Sequence, residues 1–70
     1  MDKTFVVSYI NFRDNDLTSE IVKAKNGGES IGKHSRIESD WFDATKSLKE
    51  IKMDFFDFDA MVEVIEIESS

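Results

Sequence analysis

The chain contains no cysteine and only one histidine. Disulfides and thiolate metal sites are thereby excluded. A lone imidazole, with no carboxylates at ligand spacing, offers no structural metal site either. Those absences matter in a chain of 70 residues, because a domain of that size buries only about 60% of the surface its unfolded chain exposes. Small domains usually add a disulfide, a metal or a partner chain. Self-association or a partner is what remains, and a homodimer or larger assembly is the expectation. Long apolar runs are also missing. The N-terminal "MDKTFVVSYINF" is too short to span a membrane and carries no small-residue cleavage pattern. With no cysteine to protect, a cytoplasmic location is expected. Repeats and low-complexity linkers are lacking too, so residues 1–70 read as one domain.

Basic residues are scarce, and unevenly so. Fifteen Asp and Glu stand against nine Lys and Arg, for a net charge of −6. Residues 1–37 hold six Lys/Arg and five Asp/Glu, a net of +1; residues 38–70 hold three Lys and ten Asp/Glu, a net of −7. The acidic half repels nucleic acid and attracts basic surfaces. Solubility alone accounts equally well for an acidic face.

What is present reads as α+β. "TFVVSYINF" (residues 4–12) is rich in β-branched and aromatic residues. Phe5, Val7 and Tyr9 point one way, and Val6, Ser8, Ile10 and Phe12 the other. Apolar residues on both faces suit a strand inside a sheet or covered on both sides. "RDND" is a turn, since Asn and Asp tolerate left-handed backbone. "LTSEIVKA" follows as the second arm of a hairpin, with Leu17, Ser19, Ile21 and Lys23 opposed to Thr18, Glu20, Val22 and Ala24. After "NGG", the segment "ESIGKHSRIES" has helical composition, although Gly32 within it costs about 1 kcal/mol against Ala. A second helix starts at the S-x-x-E capping box of Ser47 and Glu50, or one turn earlier at Asp43. Leu48, Ile51 and Phe55 form its buried stripe, with the stem of Lys52 alongside. "MVEVIEI" closes the chain as a strand. The order β-β-α-α-β predicts a small antiparallel or mixed three-stranded sheet with helices on one face, the last strand pairing beside the first.

Three stretches invite a chemical reading. "GGESIGKHS" (residues 27–35) is one residue away from the phosphate-binding loop G-x-x-x-x-G-K-[ST]. In that loop, backbone N–H groups wrap a phosphate, Lys neutralises it and a hydroxyl holds magnesium. Here His34 stands where the hydroxyl belongs, and a hairpin arm precedes the loop instead of a central parallel strand. A weaker form of the idea survives. Gly27, Gly28, Lys33, His34 and Arg36 could hold a phosphorylated or nucleotide signal without chemistry. The plain alternative is a Gly-rich turn. Asp14, Asp16, Thr18 and Glu20 alternate like calcium ligands, but the loop glycine and closing Glu are absent, and a turn explains the acids.

The third stretch is the pair "SDWFD" and "MDFFDFDAM". Aromatics interleaved with Asp give either a plugged core or an exposed patch. Phe55 and one of Phe56 or Phe58 belong in the core. Trp41, Phe42 and the remaining Phe are candidates for a surface patch. Asp40, Trp41, Asp43, Asp54, Asp57 and Asp59 are the candidate partner-binding residues. An aromatic centre with a charged rim is how binding hot spots are built, and acids steer a basic partner. Catalysis finds no support. A nucleophile needs a positioned base and an orienting group, and neither Ser30 nor Ser35 sits in such a context. No enzyme, cofactor, metal, membrane or direct nucleic-acid partner is expected.

Taken together, "TFVVSYINFRDNDL", the Gly-broken helix start and the ending "DFFDFDAMVEVIEI" resemble small early or accessory proteins of tailed bacteriophages. "NGGESIGK" is more glycine-rich than the helices of such proteins. The resemblance implies a non-enzymatic inhibitor, acting in the host cytoplasm on a host protein with a basic surface. Restriction, CRISPR and nucleotide-signalling defences are the kinds of target implied. It also implies that an acidic face can imitate nucleic acid.

Overall fold

The computed structural model describes residues 2–67. Strands β1 (Lys3–Asn11) and β2 (Asp16–Ala24) form a hairpin; helix α1 (Gly27–Gly32), a single 3-10 turn (Ser39–Trp41) and helix α2 (Leu48–Asp57) follow; β3 (Ala60–Ile67) ends the described chain. The sheet order is β2-β1-β3, antiparallel throughout. The fold is a small α+β domain with both helices on one face of the sheet. The hairpin turn is made where Asn15 takes a φ of 55°, a left-handed conformation that asparagine tolerates. β1 pairs Tyr9 with Thr18 on one side and with Val62 on the other.

The covered face carries Phe5, Val7 and Tyr9 of β1, Ala24 of β2, and Ala60 and Val62 of β3. These pack against Ile31 of α1, Ile37 of the following loop, and Ile51 and Phe55 of α2. β1 is central, as its composition implies, yet among the described residues it is covered on one side only. β2 turns Thr18, Glu20, Val22 and Ala24 toward the helices and leaves Leu17 and Ile21 in solvent. The smaller side chains of the first set leave room for α1 to approach.

Helix α1 is shorter than the composition of residues 29–39 implies. It ends at Gly32, and residues 33–38 are irregular. Asn26 caps it, its Oδ1 accepting from the N–H of Glu29 at 2.9 Å. The Glu29 carboxylate accepts in turn from the N–H of Lys25. Its first two glycines lie in close packing. A Cβ on Gly28 would lie 2.6 Å from the carbonyl oxygen of Ala44, and one on Gly27 would lie 2.9 Å from a Leu48 methyl group.

Helix α2 starts at the Ser47 cap, where Oγ accepts from the N–H of Glu50 at 3.3 Å. Asp43 does not cap it. Its carboxylate instead accepts from both the N–H and the hydroxyl of Thr45, which holds the Asp43 carboxyl below its ordinary range. Ile51 and Phe55 are fully buried, whereas Leu48 is one-third exposed. Phe56 and Phe58 both face solvent, so only Phe55 of that trio enters the core. Phe56 lies one residue after Phe55, about 100° of rotation past it and about 140° past Ile51, off the stripe those two share. Phe58 follows the last helical residue. Asp59 then takes a φ of 58°, and its N–H bonds the Phe56 carbonyl to close the helix.

Candidate functional site

Tyr9 is the hub of an aromatic array at the end of the sheet where α2 returns into β3. Its ring meets Phe55 edge-on at 6.1 Å between centroids, Trp41 at 6.4 Å and His34 at 5.8 Å. Phe42 packs on Phe55 at 5.5 Å and is half-buried. The pairs are edge-on or tilted, with centroid separations in the favoured range for aromatic contacts. The 3-10 turn positions Trp41, whose N–H bonds the carbonyl of Glu38. The indole is 41% exposed and Phe58 is 59% exposed. Together with Tyr9, Arg13, Phe55 and Ala60 they line a cleft of about 240 Å³.

Charge is distributed unevenly around this cleft. Arg13 pairs with Asp59 at 3.4 Å, and the Asp59 carbonyl accepts from the N–H of Phe12. The hairpin turn and the α2 exit are thus tied together at the rim. Asp40 adjoins Trp41 on the 3-10 turn and is exposed. Asp57, also exposed, lies on the outer side of α2, where it borders an open hollow with Lys49, Lys52, Met53 and Phe56. Asp54 is half-buried and paired with Lys46 at 3.4 Å. Of the six residues singled out in the sequence, the structure brings Trp41 and Asp59 to the cleft, with Asp40 beside it. Asp43, Asp54 and Asp57 lie elsewhere. Sequence reasoning missed Tyr9, whose alternation marks it only as a core residue, and Arg13, whose partner Asp59 lies 46 positions away.

The glycine loop is built differently. Asn26 occupies the N-terminus of α1, and Ala44 and Leu48 pack against its two glycines. Lys33 donates to the carbonyl of Lys23 at 2.6 Å and lies 3.7 Å from Glu29. Arg36 pairs with Asp16 at 3.0 Å. His34 is buried, its Nε2 lying 3.2 Å from the Thr18 hydroxyl. Its Nδ1 accepts from the N–H of Arg36 at 3.1 Å, which leaves the hydrogen on Nε2 to bond Thr18. Ser35 bonds the Glu20 carboxylate through both its hydroxyl and its N–H. Those bonds, the hydroxyl's first, hold the Glu20 carboxyl below its ordinary value, against a smaller opposing effect of desolvation. Each cation of this segment therefore already has a partner within the chain, and the segment is tied to β2 at Asp16, Thr18, Glu20 and Lys23. Asp14, Asp16, Thr18 and Glu20 do not converge. Among the described residues, no group of three or more His, Cys, Asp or Glu is placed to hold a metal ion, and no helix is long and apolar enough to cross a membrane.

No protein-family model matches the chain, and comparison with curated proteins and with solved structures finds no match.

Proposed function

We propose that the protein is a non-enzymatic interaction module. It captures a partner protein by taking one apolar side chain into the cleft between Trp41 and Phe58. The observation that carries this reading is the exposure of those two rings on either side of a preformed aromatic cleft. Its volume suits a single side chain and falls below the roughly 300–1,000 Å³ of small-molecule and cofactor sites. Aromatic anchors around a small pocket are the hallmark of binding hot spots. The −7 balance of residues 38–70 favours a partner whose apolar anchor is flanked by Lys or Arg, and exposed Asp40 adjoins Trp41 on the 3-10 turn, with no ion pair among the described residues. The likeness to phage accessory proteins adds the direction of the effect: inhibition of a host protein whose basic surface serves nucleic acid or defence.

The phosphate-binding alternative would need Lys33 and Arg36 to leave their present partners. The aromatic reading needs no such rearrangement.

The test uses immobilised parent protein in bacterial lysate, beside a W41A/F58A variant and a K33A/R36A variant. A protein retained by the parent and by K33A/R36A, but lost from W41A/F58A, supports the reading. Trp41 is the chain's one tryptophan, so its emission then reports cleft occupancy when the captured protein is titrated in purified form. Capture that is indifferent to W41A/F58A overturns the proposal.

A further inference from the structure

Among the described residues, nothing covers the face of the sheet opposite the helices, and much of that face is apolar. An antiparallel sheet with one face in water normally carries polar residues there. Here the outward positions include Val6, Ile10, Leu17, Ile21, Met61, Ile65 and Ile67. Ile21 is 71% exposed, and Leu17 and Ile65 are each 64% exposed.

The register arranges these residues in rows across the strands. Ile21, Val6 and Ile65 form one row, and Leu17, Ile10 and Met61 another. Between them lies Ser19, Ser8 and Glu63. The two serine hydroxyls bond each other at 2.9 Å. The Glu63 carboxylate pairs with Lys52 of α2 at 3.0 Å, which draws it to the β3 edge. Each group of the polar row therefore already has one partner, and only one serine hydrogen is left to donate.

Both apolar rows read the same from either edge: a large aliphatic residue on β2, one on β1 and one on β3. A two-fold axis running along β1 would place β2 of one copy over β3 of the other and keep both apolar rows opposite their own kind, while the end row of Lys23, Thr4 and Ile67 lies at the interface edge, where the Lys23 ammonium reaches water. Ile21 would meet Ile65, Leu17 would meet Met61, and Val6 would meet Val6. Such self-complementarity is what an isologous interface requires.

We infer that a second copy of this chain covers the open face, sheet on sheet, around a two-fold axis along β1. The interaction is independent of the aromatic cleft, which lies on the helix side. Three strands about 4.8 Å apart and eight residues long present about 370 Å² in projection. Two such faces, with side-chain relief added, bury about 800–1,200 Å² in total, the size of weak specific interfaces and not of obligate dimers. Interfaces of that class are weak and reversible, so a midpoint on the order of 10–100 µM is expected.

Sedimentation equilibrium from about 5 µM to 1 mM tests it, because mass action makes the dimer fraction rise with concentration. The parent should pass from 8.1 kDa toward twice that mass. I21K and I65E should each remain monomeric, with the parent's circular dichroism, since both side chains are exposed in the protomer. An equimolar mixture of the two should regain dimer, because the axis brings position 21 of one copy to position 65 of the other. In the unsubstituted protein, isotope-filtered NMR of mixed labelled and unlabelled copies should show contacts between Val6 methyl groups. A parent monomeric at every concentration overturns the inference and leaves the face to a foreign partner or to none. A dimer that survives I21K and I65E, or one lacking Val6–Val6 contacts, overturns it as well.

Discussion

Gly28 and Ala44 approach so closely that a methyl group on the glycine would lie 2.6 Å from the alanine carbonyl oxygen. Backbone, not a flexible side-chain end, stands in the way. The glycine is needed because the loop after the 3-10 turn crosses directly over the start of α1, and no phosphate is required to explain it. Gly28→Ala should destabilise the fold by about 1–3 kcal/mol, the usual cost of overpacking. Gly32→Ala is the control. A Cβ there meets nothing closer than 3.6 Å, and the backbone is not left-handed, so a gain of up to about 1 kcal/mol is expected. Urea titrations of the two variants should move in opposite directions.

The same packing bears on ligand binding. With Lys33 and Arg36 both engaged, calorimetry with inorganic phosphate, cyclic dinucleotides or ADP-ribose should show no heat in the parent protein. Saturable heat that K33A/R36A abolishes would restore the phosphate reading.

Thr18 and His34 couple β2 to the loop that follows α1. Thr18→Val keeps the shape but leaves the Nε2 hydrogen without its acceptor. A loss of about 1–3 kcal/mol is expected from such an unsatisfied buried group, toward the low end because Thr18 is only half-buried. Hydrogen exchange should show the loop N–H groups of His34 and Ile37 opening sooner than those of β1.

Glu20 makes the same latch sensitive to acid. Its carboxyl is held below the ordinary 4.5 by the Ser35 hydroxyl and N–H. A carboxyl whose pKa falls on folding binds fewer protons in the native than in the unfolded state. Its contribution is therefore complete above pH 4.5 and is lost as pH falls through the lower, folded value. Glu20→Gln should be less stable than the parent at pH 7, and its stability should decline less steeply on acidification. Parallel slopes of urea midpoint against pH would show that Glu20 does not hold the loop.

The residues that made the fold legible are those whose signals are local. Asn15 sits in the turn its type suggests, Ser47 and Glu50 cap the helix they announce, and the apolar β1 lies at the sheet centre. The signals that misled or left a choice open are those decided by distant packing. The two faces of β2 could not be told apart locally: Leu17 and Ile21 are its larger apolar residues, yet Thr18, Glu20, Val22 and Ala24 face the helices. Phe56 and Phe58 look like core residues until Ile51 and Phe55 fix the phase of α2. In the candidate site, Trp41 was readable as an aromatic beside acids. Arg13 was not, because its bond to Asp59 exists only once the hairpin turn and the α2 exit have met.

That distinction separates the acids by role. Asp54 and Asp59 are engaged by Lys46 and Arg13, whereas Asp40 and Asp57 are exposed in the acidic half. Asp54 and Asp57 both lie in the last turn of α2, where negative charge opposes the helix dipole by a few tenths of a kcal/mol or more. Exposed ion pairs return little stability, about 0–1 kcal/mol each. Replacing Asp54, Asp57 and Asp59 with Asn should therefore preserve the fold and slightly raise the melting temperature. Free acids steer a basic partner through long-range attraction that salt screens. D40N/D57N should accordingly slow association about ten-fold at low ionic strength and flatten its salt dependence, while dissociation stays unchanged. D54N/D59N, which removes charges already offset by Lys46 and Arg13, should slow association less. W41A should do the reverse, speeding dissociation at every salt concentration, because the ring supplies contact and not steering. Its cost to stability should stay within about 1–2 kcal/mol, the worth of one aromatic contact on a half-exposed ring. Surface plasmon resonance against the partner captured from lysate, at several salt concentrations, separates the two effects. Equal association rates for the parent and D40N/D57N at low salt would mean that the acids serve solubility alone.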